Sequence, residues 1–194
     1  MPKRKRPMFD QLLVIDVEST CWNDASSERR HQESEIIEIG YALLDQRTGQ
    51  ITQNDHLVIK PSRSEVSTFC TSLTGWTAEA LESGMTYDDA CLYLRQKLSS
   101  QRRVFASWGN YDRRQFERQS KPPGVKYPFG KSHLNVKDLF VLLSGRQYAC
   151  NVETALKILN MRFEGRPHSG KDDALNIARI LSVLLRDGRR AFSA

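Results

Sequence analysis

Short apolar runs alternate with polar stretches along this chain, and their period changes partway through. Leu12-Leu-Val-Ile15, within a segment from Asp10 to Val17, is brief and continuous, the pattern of a central strand covered on both faces. Ile36–Leu44 and Ile51–Ile59 read as two further strands. They are joined by Asp45-Gln-Arg-Thr-Gly49, a hairpin connection with a glycine available for left-handed backbone angles. Residues 19–34, between the first two strands, are polar and unpatterned, which predicts a long loop. Beyond them the period becomes helical. Thr77–Leu81 and Thr86–Leu98 are expected as helices, the second with Ala90, Tyr93, Leu94 and Leu98 on one stripe. Arg103–Ser107 is a short strand, a helix follows from about Asp112 to Gln119, and Lys121-Pro-Pro-Gly124 breaks it. Further helices are expected at 137–143, 152–159 and 170–186, the last with apolar residues at 174, 177, 178, 181, 184 and 185. Three strands in hairpin order, then helix, strand and helices, make an α/β domain with a mixed sheet. The later strand joins beside the first through a right-handed crossover.

Composition narrows the class. The 194 residues are 39% hydrophobic and 27% charged, enough for one packed domain and too apolar for a disordered chain. No run approaches the roughly 18 apolar residues of a membrane span. The basic start, Met1 to Arg6, is followed by only four consecutive apolar residues before Asp16, which does not make a secretory leader. Cys21, Cys70, Cys91 and Cys150 show no metal-ligand or redox spacing, so reduced thiols and a cytoplasmic location are expected. The net charge of +6 is unevenly spread. Residues 1–7 hold four basic and no acidic residues, residues 8–94 hold five basic against fifteen acidic, and residues 95–131 hold ten against two. Residues 1–8 are read as a flexible basic arm, and residues 9–190 as a single domain. Clustered basic residues commonly hold a polyanion. Clustered carboxylates either repel one another or hold cations.

Three places carry candidate chemistry. Asp16 and Glu18, two apart at the end of the most apolar strand, leave the same face of the sheet. Such a pair is common on exposed strands, but on a buried strand two like charges call for a positive partner. Asp112 follows the strand that ends at Ser107, where open α/β sheets bind ligands, although a helix N-cap is the simpler role for it there. The third is Gly165-Arg-Pro-His168-Ser-Gly-Lys-Asp172-Asp173. Ser169 and Asp172 have capping-box spacing, while Asp173, beside Ala174, faces inward for no capping reason. Four carboxylates suit hard cations such as Mg²⁺ or Mn²⁺ rather than zinc. A nearby histidine could serve as general base.

Together these motifs resemble the DEDDh family of 3′→5′ exonucleases, and within it the Eri-like group that includes the histone-mRNA exonuclease. The resemblance rests on Val14-Ile-Asp16-Val-Glu18-Ser-Thr-Cys21, Phe69-Cys-Thr-Ser-Leu73-Thr74-Gly75, Gly109-Asn-Tyr111-Asp112, and Gly165-Arg-Pro-His168-Ser-Gly-Lys-Asp172-Asp173 with Asn176-Ile-Ala-Arg. It runs in order from about Leu12 to Gly188. It implies an RNase H-like fold with a mixed five-stranded sheet, and an active site with two Mg²⁺ or Mn²⁺ ions. Asp16, Glu18 and Asp173 match the direct metal ligands, Asp112 the fourth acid of the metal set, and His168 the base. Ser19, Thr20, Phe69, Leu73, Thr74 and Tyr111 fall at substrate-contacting positions, with Phe69 and Tyr111 against the terminal base. Tyr111 stands where the group often has Trp, a change that keeps stacking. The implied substrate is the 3′ end of single-stranded nucleic acid, RNA favoured, and the chain has no room for the separate RNA-binding domain that some relatives carry. A DNA-directed enzyme of the same mechanism is the nearest alternative. A non-catalytic nucleic-acid-binding module would predict loss of the acidic set, which is intact here.

Overall fold

The unbroken apolar run of the first strand takes the middle of the sheet. In the computed structural model, which describes residues 8–23, 32–121 and 125–192, β1 (Met8–Ser19) is flanked by β2 (Ile36–Asp45) and β4 (Arg103–Ser107). β3 (Ile51–Val58) and β5 (His133–Asn135) form the edges, in the order β3-β2-β1-β4-β5. β1 pairs antiparallel with β2 and parallel with β4, so the sheet is mixed as expected. The helices are α1 (Thr68–Thr74), α2 (Ala78–Leu81), α3 (Tyr87–Lys97), α4 (Tyr111–Gln119), α5 (Val136–Leu143), α6 (Val152–Ile158) and α7 (Gly170–Arg189).

Alternation along β1 divides the core in two. Leu13, Ile15 and Val17 pack with Ala90 and Leu94 of α3 and Phe116 of α4. Leu12 and Val14 pack with Phe140 of α5, Leu156 of α6, and Ile177, Ala178 and Leu181 of α7. Each fully buried Val, Leu, Ile or Phe among them contributes about 1.5–3 kcal/mol relative to exposure. Helix α7 also buries Asn176 and Ile180, so its covered face is wider than the apolar stripe. Among the described residues, no helix is long and apolar enough to cross a membrane.

Local differences from the expected elements have physical causes. β1 starts at Met8, whose N–H donates to Arg102 O at 2.8 Å, so this residue belongs to the sheet and not to the arm. α1 has little apolar periodicity and is set by its ends. Ser67 accepts the Cys70 N–H at the start, and Gly75, at φ 80°, closes the other end. β5 is three residues long, too short for any alternation to register, and is held by parallel pairing with β4. The arm residues 1–7, residues 24–31 of the long loop and residues 122–124 of the Pro-Pro-Gly break lie outside the described residues.

The N-terminus of α7 lies directly on β2. A Cβ on Gly40 would come within 1.8 Å of the Gly170 carbonyl carbon and oxygen, so only glycine permits this approach. Gly40→Ala should therefore force helix and strand apart and cost about 1–3 kcal/mol or more. Gly188→Ala, near the end of the same helix with open space around it, should stabilise by about 0.4–1 kcal/mol. Urea unfolding midpoints of the two variants should move in opposite directions.

Candidate active site

The row of β1 side chains beneath α7 begins apolar with Leu12 and Val14, and continues as Asp16 and Glu18 where it reaches the helix N-terminus. Asp173, in the first turn of α7, meets them there. One carboxylate oxygen from each of Asp16, Glu18 and Asp173 lies within 4.8 Å of the others. At that separation two unit charges repel by about 3.5 kcal/mol at an effective dielectric of 20.

Asp112 stands outside this trio, so the four acids expected as metal ligands divide into three and one. The simpler reading of Asp112 as a helix cap also fails: Asn110 is the N-cap residue of α4, and its side chain makes no capping bond. Asp112 is buried, and its Oδ1 accepts the Val17 N–H at 3.0 Å. It thereby ties α4 to the stretch of β1 between Asp16 and Glu18. Ser107, fully buried at the end of β4, donates through Oγ to Gly109 O at 3.0 Å and bonds His133 Nε2 at 2.9 Å, which fixes the turn leading to Asp112.

The loop before α7 is held by adjacent carboxylates. His168 is exposed at φ 61°, a left-handed conformation uncommon outside glycine, and its N–H donates to Asp173 Oδ2 at 2.8 Å. The capping box is only half present. Ser169 accepts the Asp172 N–H at 3.4 Å, but the Asp172 carboxylate turns to the Arg166 N–H at 2.9 Å instead of returning to Ser169. Gly165, at φ 85°, makes room for it, since a Cβ there would come within 2.3 Å of Asp172 Cγ. Behind the loop, fully buried Asn176 accepts the Glu164 N–H and donates to the carbonyls of Glu164 and Asp172. Arg166 reaches across to donate to Leu73 O at 3.0 Å, joining this loop to α1.

Burial pushes these acids upward, and their neighbours' charges add to the effect. The Glu18 carboxyl rises to about 8 through burial, then through Asp173, Glu38 and Asp112, with Arg166 partly offsetting them. Asp112 and Asp173 rise to about 6, again chiefly by burial, against the pull of the hydrogen bonds they accept. Asp16 is raised well above the ordinary carboxylate range by burial and by Asp112, Asp173 and Glu18. Among the described residues nothing donates a hydrogen bond to the Asp16 or Glu18 carboxylates. Three converging oxygen donors with unbalanced negative charge fit a hard divalent cation.

The carboxylates, Tyr111 and His168 line one cavity of about 410 Å³. Tyr111 is 56% exposed and Phe69 41%, so both rings are free to stack, Phe69 from α1. Leu73 is half-buried on the same helix. Two expected substrate contacts have other partners. Thr20 is fully buried, with its Oγ1 bonded to the Glu35 N–H and Ser64 Oγ. The Thr74 hydroxyl donates to Cys70 O and accepts the Trp76 N–H, closing α1. Ser19 is buried with its Oγ unpartnered among the described residues. Sequence reasoning missed Glu38, buried in β2 directly opposite Glu18. Its even position in the second hairpin strand, on the face shared with Gly40, was the available signal.

The exonuclease family model RNase_T matches residues 13–181. The chain is 28% identical to human "ERI1 exoribonuclease 2" over 95% of its own length and 30% of that protein. It is 27% identical to "3'-5' exonuclease Snipper" of Drosophila melanogaster, over 93% of this chain and 71% of that one. It thus spans less than a third of the first relative. Among solved structures, the nuclease domain of 3'hExo, described as a DEDDh family member bound to rAMP, superposes with a TM-score of 0.81 at 27% identity. That match covers 95% of this chain and 96% of the other. The sheet and flanking helices are therefore the RNase H-like exonuclease fold expected from the motifs.

The raised carboxyls set the pH dependence of the metal-free protein. Each binds its proton more tightly folded than unfolded, so its contribution to stability is full below the ordinary carboxylate range. That contribution is lost as pH rises through about 6 for Asp112 and Asp173 and about 8 for Glu18. The melting temperature of the metal-free protein should fall between pH 5 and pH 8. Asp16→Asn should raise the pH 8 value by roughly 2–4 °C per kcal/mol of repulsion relieved. Added Mn²⁺ should raise the wild-type value at pH 8 and that of Asp16→Asn much less. Thermal unfolding across this range, with and without Mn²⁺, measures all three effects.

Proposed function

This chain belongs to the RNase_T exonuclease family, and on that premise we propose that it is a metal-dependent 3′→5′ exonuclease acting on single-stranded nucleic acid, RNA in preference to DNA. The observation that carries the reading is the convergence of Asp16, Glu18 and Asp173 within 4.8 Å, in the cavity that also holds Asp112 and His168. RNA is favoured because the relatives include a protein named as an exoribonuclease and a nuclease domain bound to a ribonucleotide. We place the protein in the cytoplasm on the cysteine spacing alone.

Asp16, Glu18 and Asp173 would hold Mg²⁺ or Mn²⁺, two ions per site in our reading, with Asp112 completing the acidic set. Such ions supply Lewis acidity toward the phosphodiester and offset its charge. The chain's own residues do the rest. His168 in its neutral form takes a proton from the attacking water. Water adds at phosphorus as the bond to the 3′-oxygen of the preceding nucleotide breaks, releasing a nucleoside 5′-monophosphate and a shortened strand with a 3′-hydroxyl. Asp173 fixes the His168 main chain, and Asp112 fixes Val17. Tyr111 and Phe69 offer exposed rings to the terminal base, a contact tolerant of base identity.

The test is digestion of 5′-labelled single-stranded RNA, single-stranded DNA and duplexes of one sequence. We expect a ladder shortening from the 3′ end, fastest on single-stranded RNA and abolished by EDTA. Cleavage that persists in excess EDTA, or that starts internally, overturns the reading.

Two substitutions separate the base from its support. His168→Ala should lower kcat by roughly 10²–10⁴-fold. Asp172→Ala should lower kcat by no more than about 10²-fold, the scale expected when a positioned group shifts by about 1 Å. Steady-state kinetics with saturating Mg²⁺ compares the two.

A further inference from the structure

Glu38 is a carboxylate beside the acidic trio that the chemistry above leaves without work. It lies in β2, is 1% exposed, and pairs in register with Glu18 of β1. Facing cross-strand residues have Cβ atoms about 4.5–5.5 Å apart, and like charges there are destabilising. Its surroundings explain why it is tolerated. Oε1 accepts from His56 Nδ1 at 2.7 Å and from the Lys171 N–H at 3.3 Å. Oε2 accepts from Trp76 Nε1 at 2.8 Å and from the Gly170 N–H at 3.1 Å. An ionised carboxylate offers about four lone-pair positions, and here four donors occupy them. Asp16 and Glu18 accept no hydrogen bond from the described residues. The neighbouring acids therefore divide by chemistry: Asp16 and Glu18 are open to a cation and Asp173 gives up one oxygen to the His168 N–H, whereas Glu38 is closed on both oxygens.

The four donors come from three parts of the fold. His56 belongs to edge strand β3. Gly170 and Lys171 open α7, whose first-turn N–H groups have no partner inside the helix and whose dipole favours negative charge at that end. Trp76 follows the Gly75 cap of α1, and its main chain is locked to that helix. Its N–H donates to Thr74 Oγ1, and its carbonyl accepts from Thr71 Oγ1. Helix α7 carries Asp173 and follows the His168 loop, while α1 carries Phe69 and Leu73. Both elements are anchored to the sheet through one side chain.

We propose that Glu38 is a positioning residue: its saturated carboxylate sets α7, and with it Asp173 and the His168 loop, against Asp16 and Glu18, and ties α1 to the same point. The proposal takes the identity of the metal-binding acids from the exonuclease reading. It goes beyond that reading in assigning a residue that touches neither metal nor substrate. Trp76 is the charge-neutral arm of the device, because its indole N–H fills one of the four positions without altering the field at the trio.

The experiment is Mn²⁺ titration by calorimetry on the full metal-free chain, with kcat measured in parallel, for wild type, Glu38→Gln and Trp76→Phe. A glutamine amide presents its own N–H groups to two of the four donors, so Glu38→Gln should weaken Mn²⁺ binding about 10–100-fold, the usual scale for outer-sphere support, and lower kcat. Trp76→Phe should shift both quantities in the same direction by a smaller factor, with Mn²⁺ stoichiometry unchanged in both variants. A purely stabilising role would lower the melting temperature while leaving Mn²⁺ affinity intact, and would overturn the proposal. So would a lost equivalent of Mn²⁺ in Glu38→Gln, which would make Glu38 a ligand. Wild-type Mn²⁺ affinity in Trp76→Phe, with weakened binding in Glu38→Gln, would reduce Glu38 to a source of charge and also overturn it. If Glu38→Gln does not fold, unaltered Trp76→Phe affinity is sufficient to reject the idea. A wild type that binds Mn²⁺ but cleaves no nucleic acid would overturn the exonuclease reading and leave the positioning role standing.

Discussion

Repulsion among buried carboxylates is the constraint around which this molecule is organised. Asp16, Glu18 and Asp173 bring oxygen atoms within 4.8 Å of one another, in a place where burial already disfavours their charge. Left to local preference, such groups would turn outward to water. They converge because each is carried by an element whose position is set by other residues. The apolar row of β1 is committed to the core beneath α7, and the α7 N-terminus is pressed onto Gly40 by packing farther along the helix. The free energy of core packing is what holds the charges together.

Acceptor saturation sets Glu38 apart from Asp16 and Glu18, with Asp112 and Asp173 between them, each accepting one main-chain N–H. Asp112 is partly satisfied by the Val17 N–H, Asp172 by the Arg166 N–H, and Glu38 by four donors at once. Elsewhere, Glu35 shows the limit of this behaviour. Hydrogen bonds from residues 62–64 hold its carboxyl below the ordinary range despite burial, so it braces a loop as a settled anion. Asp16 and Glu18 have no comparable donors among the described residues and remain raised. A carboxylate's hydrogen-bond partners therefore decide its part here more than its place in a motif.

Much of the fold, and the residues that gather in the one acidic cavity, were legible in the chain. The continuous run at Leu12–Ile15 and the stripe from Ala174 to Leu185 specify a central strand and its covering helix, because periods of 2 and 3.6 residues are imposed by local geometry. Asp16, Glu18, Asp112, His168 and Asp173 were picked out by type and spacing, and the resemblance to the exonuclease family gave them the roles proposed here. β5 and α1 were not legible. Three residues cannot display a period, and α1 depends on capping at Ser67 and Gly75 more than on an apolar stripe.

What the sequence determined by itself is therefore the class of domain and the kinds of chemical group it brings to one end of its sheet. The tertiary structure alone decided what each group does there. Asp112 binds a strand amide instead of capping its helix, Asp172 turns to Arg166 instead of Ser169, Thr20 and Thr74 spend their hydroxyls inside the fold, and Glu38 emerges as a closed acid among open ones. The physical reason is range. Periodicity and capping signals act over a few residues along the chain, whereas the donors that settle a buried carboxylate arrive from segments as distant as 133 positions away, as Lys171 does at Glu38. Only packing brings them within hydrogen-bonding distance.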